Sequence, residues 1–405
     1  MRDRGPRPQQ YGPDPRQEEG RGRGRRTASL LFATLLAVAA GAPAQEIVTA
    51  GGEQLVSASG DFPAIAFDDA QRGVVAWAEP GADGSAAIRA RRLAGDTLAA
   101  PFQVNTQTAN DPRDPRVALD GRGGFIVVWA AREVRGQIFR SNGRRRGVEQ
   151  VLSPRNAGAA HPEVAMAGDG RFVVAWEQSH WDPMQAVRLA TFAAGGGRLA
   201  RPLTMPAIGW DANLVGAVSA SADSVAVGWT EFTPCPSNPL DPVSAVATFD
   251  WSLQSLRDVD RLANDNPCVD GPQVLAMPNS ELGPLGIFVG RRYSVQRFSP
   301  TDGTRIGPRT NVADLPSCDC ERVRAVAGDG RGRFVFVWER LSSSGYELFA
   351  ELYGREGKRR VERFAVSVAP STAPQHPAAA LTSDGTLVVV WRAGEGIVMR
   401  RFHFD

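Results

Sequence analysis

The chain has 405 residues, 46 Lys+Arg against 44 Asp+Glu, 42% hydrophobic residues, 43 Gly, 29 Pro and four Cys. That leaves room for two ordinary domains or one large all-β domain, and it is too apolar for a disordered chain. Residues 1–26 hold eight Arg and four acids and residues 27–44 hold no charge, so 38 basic and 40 acidic groups remain from Gln45 onward: a slightly acidic body with no basic patch and no electrostatic case for nucleic acid.

In chain order, the first expected element is an export signal. A basic cluster from Arg21 to Arg26 precedes the apolar run from Leu30 to Ala39, and small residues lead to Ala42-Pro43-Ala44. Basic region, short apolar core and A-x-A site predict a secretory signal over residues 1–44, cut after Ala44. The apolar run is too short to span a membrane, and no later segment could. The mature chain is expected to be secreted or periplasmic, without a membrane span.

Residues 45–405 then read as a single domain of seven repeats. The pattern runs from Pro63 to Trp77, Pro115 to Trp129 and Pro162 to Trp176, weakens from Ala217 to Trp229 and is poorest from Pro272 to Gly290. It returns from Val323 to Trp338 without the Pro, and from Pro377 to Trp391. Each copy predicts four short strands: a Val-Ala strand, an Asp-Gly turn that supplies positive φ, a Phe-Val-Val-Val-Trp strand and two more alternating strands. The second strand is apolar on both faces and must be covered on both. Nothing after residue 45 sustains a 3.6-residue period.

Four-stranded repeats of about this length stack best as blades around an axis, so the fold class is all-β, a seven-bladed β-propeller. The chain stops after the third strand of the last repeat, and an orphan strand from Glu53 to Ser57 precedes the first. That N-terminal strand is expected to complete the last blade. The Pro-x-Val-Ala … Gly-x-Phe-Val-Val-x-Trp pattern resembles the propeller-type repeats of proteins exported by bacteria. The resemblance implies fold and compartment, and leaves function open among binding modules, surface proteins and enzymes. It departs from the sialidase Asp-box, which Ser383-Asp384-Gly385-Thr386 approaches without matching in spacing.

The repeated Trp residues (Trp77, Trp129, Trp176, Trp229, Trp338, Trp391) are expected to pack between blades, and the turn Asp residues to form turns. Residues that break the repeat carry the functional expectation. His161 and His376 each precede a repeat Pro, His180-Trp181-Asp182 lies in a second-to-third-strand loop, and Trp210-Asp211 enters the fourth repeat. These map to one loop face and form the candidate ligand site, against the alternative that they are ordinary loop residues. Asp114 joins them as a candidate acid or base, but linear spacing brings none of these groups together.

The four Cys (Cys235, Cys268, Cys318, Cys320) fall on that face too and suit structural disulfides in an exported chain. Cys235–Cys268 with Cys318–Cys320 is favoured, and Cys268–Cys318 is the alternative. Lys358 is the only lysine and sits in a Gly-Lys-Arg-Arg turn, which argues against Schiff-base or Ser-Lys chemistry. HExxH, GxSxG, phosphate-loop and calcium-loop patterns are absent. No cofactor and no metal are expected. The expected function is an exported monomeric binding or protein-interaction module for an extracellular glycan, peptide or protein. The alternatives are a propeller-fold hydrolase or lyase acting on an extracellular glycan, and a structural spacer in a surface assembly.

Overall fold

The computed structural model describes residues 48–405 except 82–84, 109–110, 156–157, 180–184, 206–213, 234–240, 263–272, 277–284, 290–291, 300, 315–320 and 372–374. Every regular element among them is a β-strand, and the strands form seven antiparallel sheets. Six sheets are contiguous in the chain and form the blades of a β-propeller: blade 1 (61–103), blade 2 (113–151), blade 3 (159–204), blade 4 (214–262), blade 5 (273–314) and blade 6 (321–365). The seventh sheet is composite. Ala378–Leu381, Thr386–Ala393 and Gly396–Phe404 follow in order, and Val48–Ala50 and Gln54–Ser57 then pair along the outer side of Gly396–Phe404. Seven repeats thus give six contiguous blades, not seven, because the last repeat ends after its third strand and takes its outer edge from the other end of the chain.

The second strands show why the sheets stack face to face. In Phe125–Ala130, Val127 and Trp129 pack into a core shared with blade 1, while Ile126 and Val128 pack into a core shared with blade 3. Alternate side chains therefore face opposite neighbours, as a period of two requires. The same alternation places Leu387, Val389 and Trp391 against blade 6, and Val388 and Val390 against blade 1. The six repeated Trp residues are all fully buried, five of them in cores formed with the preceding sheet and Trp77 in the core between blade 1 and the composite sheet. The core between blades 4 and 5 has no Trp among its described residues and rests on Ala217, Ala226, Val246 and Phe298.

The first strand of each blade lies innermost and beside the first strand of the next. The first strands of all six blades break register by a bulge, between Asp61 and Ala64 in blade 1, at the matching place in blades 2, 3, 4 and 6, and further along the strand, between Val274 and Ala276, in blade 5. The repeat Pro sits at this bulge in blades 1 to 3, where its missing N–H removes no ladder bond.

The two ends of each blade differ. At one end lie the bulge and the residue after Trp, here called the mouth face. At the other lie the Asp-Gly turns, the turn face. On the turn face Arg72 pairs with Asp68 at 2.7 Å and donates to the Arg122 carbonyl of blade 2 at 3.0 Å. Arg171 pairs with Asp169 and donates to Ala222 O of blade 4, and Arg333 pairs with Asp329 and donates to Ser383 O of the composite sheet. The turn Asp is thus also the anchor of an arginine that reaches the next sheet. Gly385 holds φ +94°, and a Cβ there would stand 2.4 Å from the Phe404 carbonyl oxygen, so only glycine fits.

Candidate functional site at the mouth face

Four repeats share a backbone feature on the mouth face. Phe62, Asp114, His161 and His376, each immediately before a Pro, adopt left-handed φ of 50°, 51°, 44° and 44°. A non-glycine residue there costs on the order of 1–3 kcal/mol, and a following Pro narrows its choices further. The strain recurs in these four repeats, so it is a feature of the scaffold that presents these side chains.

A cavity of about 420 Å³ opens among the inner strands, lined by Phe62, Arg116, Glu163, Arg324 and His376 over a floor that includes Ala64, Ala325 and Ala378. His376 Nδ1 donates to Asp61 Oδ1 at 2.9 Å, Asp61 Oδ2 accepts from Arg392 Nη1 at 2.9 Å, and the Phe62 ring stacks on the imidazole at 4.8 Å. Imidazole Nε2 keeps no partner among the described residues. Across the cavity Arg116 pairs with Glu163 of blade 3 at 2.8 Å, and that carboxylate, then Asp114, holds the guanidinium pKa above its ordinary value against its own burial.

Two buried glutamates directly after Trp tie sheets together at this rim. Glu177 Oε2 accepts from His161 Nδ1 at 2.8 Å while Oε1 accepts from Val215 N of blade 4 at 3.2 Å. Glu339 Oε1 accepts from Arg324 Nε at 2.8 Å while Oε2 accepts from Gln375 N at 2.9 Å. The Glu177 hydrogen bond raises the His161 pKa above the usual imidazole value, and partial desolvation works against it.

His161 and His376 both lie on the mouth face, and the cavity is lined by His376 and not by His161. Asp114 lies on the same rim, close enough for its charge to act on both His161 and Arg116. His180, Trp181, Asp182, Trp210, Asp211 and the four Cys lie outside the described residues. Sequence reasoning missed Asp61, Phe62, Arg116, Glu163, Glu177, Arg324 and Glu339. One signal was present: where Ala64, Ala217, Ala325 and Ala378 keep one inner position small, the chain carries Arg116 and Glu163. Among the described residues no three His, Cys, Asp or Glu side chains converge as metal ligands, and no helix is long and apolar enough to cross a membrane.

No protein-family model matches the chain, and no curated protein does. Solved structures match over most of its length. An ulvan lyase of a new polysaccharide lyase family, bound to -[GlcA(1-4)Rha3S]-, is 9% identical, with 87% of this chain and 95% of that chain covered and a TM-score of 0.53. Polysaccharide lyase Uly1 is 12% identical, with 88% and 92% covered and a TM-score of 0.51. At such identity the likeness establishes the β-propeller fold.

Proposed function

We propose that the chain is an exported β-propeller binding module that takes an extracellular glycan at the mouth-face cavity. The cavity carries this reading: it combines an exposed aromatic ring, two guanidinium groups and an imidazole over an apolar floor, the mixture by which concave sites hold polar ligands. Export rests on the basic, apolar and A-x-A segments before Gln45, and the two lyases are polysaccharide proteins built on the same fold. Trp181 and Trp210, with His180, Asp182 and Asp211, belong to the same proposed surface. A glycan and peptide array on the mature protein tests it. Phe62→Ala and His376→Ala should each weaken the leading signal about tenfold, and Trp181→Ala and Trp210→Ala should weaken it less. An unchanged array across all four variants removes the site.

The propeller is further proposed to close as seven blades, the composite sheet being the seventh. Val56 sits in one core with Trp77 of blade 1 and Val390 of the composite sheet, and Gln71 Nε2 donates to Asp384 Oδ2 at 2.8 Å between the same two sheets. Deleting residues 51–59 removes Val56 and one strand pairing, and should lower stability by roughly 3–5 kcal/mol. A truncated chain with the parent's urea midpoint would refute closure.

A second reading, a glycan lyase or hydrolase, draws on one observation. Asp61 orients His376 through Nδ1 and leaves Nε2 for proton transfer in a cavity that also holds Arg116 and Arg324, an arrangement suited to a general base. Cleavage of an acidic polysaccharide that His376→Ala abolishes would move the assignment to this reading.

A further inference from the structure

The turn face of blade 6 holds a second concave site. Two turns meet there: the one from Asp329 to Arg333, and the one from Gly354 to Lys358, closed by Gly354 N donating to the Lys358 carbonyl at 2.8 Å. They are 25 residues apart in sequence, and strand pairing of Phe334 with Tyr353 and of Tyr353 with Arg359 brings them together at one end of the sheet. Between them lies a cavity of about 350 Å³ lined by Arg331, Arg333, Arg355, Glu356, Lys358 and Arg360. Five cations and one carboxylate thus share one concavity in a body whose overall balance is slightly acidic.

These cations differ from the arginines elsewhere on the turn face. Arg333 is committed to Asp329 at 2.7 Å and to the carbonyls of Thr382 and Ser383. Arg331, Arg355, Lys358 and Arg360 are exposed, and none has a carboxylate partner among the described residues. Four like charges held in one hollow with Glu356 as the one carboxylate beside them leave an excess of positive charge, and an anion relieves their mutual repulsion. The chain's single lysine has a physical role here as a cation.

We infer that this cavity binds the acidic groups, sulfate or carboxylate, of an anionic polysaccharide, at a site separate from the mouth and independent of what binds there. Guanidinium forks meet such oxyanions bidentately. The lining holds no aromatic side chain, so it offers no stacking platform for nucleobases. The recess admits a charged sugar substituent, and it occupies one blade only, where a membrane surface would need a broad basic face.

A heparin hexasaccharide serves as the probe, titrated calorimetrically into the mature protein at 50 and 200 mM NaCl, with neutral dextran, a single-stranded oligonucleotide and anionic phosphatidylserine vesicles as comparisons. Binding of the hexasaccharide alone is expected, weaker at the higher salt. Arg355→Ala/Arg360→Ala should weaken it at least tenfold with an unchanged circular dichroism spectrum and urea midpoint. Arg144→Ala/Arg146→Ala, in the corresponding basic turn of blade 2, should change it less than threefold. Absence of hexasaccharide binding, or equal loss from the blade 2 variant, overturns the proposal. Tighter binding of the oligonucleotide or the vesicles overturns the choice of ligand.

Discussion

The two faces of the propeller come from one repeat and treat charge in opposite ways. At the mouth, Asp61, Glu177 and Glu339 each use both carboxylate oxygens, one on a cation or imidazole and the other on a group from the next sheet. At the turn face of blade 6 only Arg333 is engaged in this way, and four neighbouring cations are not. Charge that links sheets is satisfied twice, by carboxylates that are buried at Glu177 and Glu339 and half-buried at Asp61. Charge that is left over is exposed and mostly positive, four cations beside the one carboxylate of Glu356. The difference separates side chains that hold the ring of sheets from side chains available to a ligand.

Removing one group from each face puts that separation to the test, and this is the larger effect. Glu339→Ala strips Arg324 of its partner and leaves the Gln375 N–H buried without an acceptor, a loss of about 2–4 kcal/mol. Arg355→Ala removes an exposed, unpaired cation and should change stability by less than about 0.5 kcal/mol. Urea unfolding of the two variants beside the parent reads both values. Equal losses would mean that the free cations of blade 6 are structural after all.

How much of this was legible in the sequence follows from the range of the interactions involved. Burial on both faces of a strand such as Phe125–Ala130, with an Asp-Gly turn before it and a Pro ahead, is local, and it was enough to give an all-β propeller. The segment from Glu53 to Ser57 was likewise legible as a strand that belongs to no repeat, and Gln54–Ser57 pairs with Gly396–Phe404. Pairing of Val48–Ala50 with the same edge left no mark, because those three residues carry no distinctive pattern. His161 and His376 were visible as departures from the repeat. Their carboxylate partners were not: Glu177 lies on the adjacent strand and Asp61 is 315 residues away from His376. The basic hollow of blade 6 was hidden for the same reason. Counted along the chain, Arg331 and Lys358 belong to separate turns, and only hairpin register makes them neighbours.

The smallest expected effect sharpens the comparison from the mouth side. His161 is largely exposed, with 60% of its side chain accessible, yet its Glu177 partner is buried and raises its pKa. A base whose pKa is higher folded than unfolded adds stability that is complete below the unfolded value of about 6.5 and fades as pH rises through the folded value. The parent should therefore exceed His161→Asn in stability most at mildly acid pH, and the two should converge toward alkaline pH. Titration of the His161 ring proton by NMR should give a midpoint above the ordinary imidazole value, and Glu177→Gln should bring it down, since a neutral amide no longer favours the charged ring. A His161 midpoint that does not move in Glu177→Gln would show that solvent, and not the buried carboxylate, governs this rim, and the contrast between linked and leftover charge would then fail at its most exposed member.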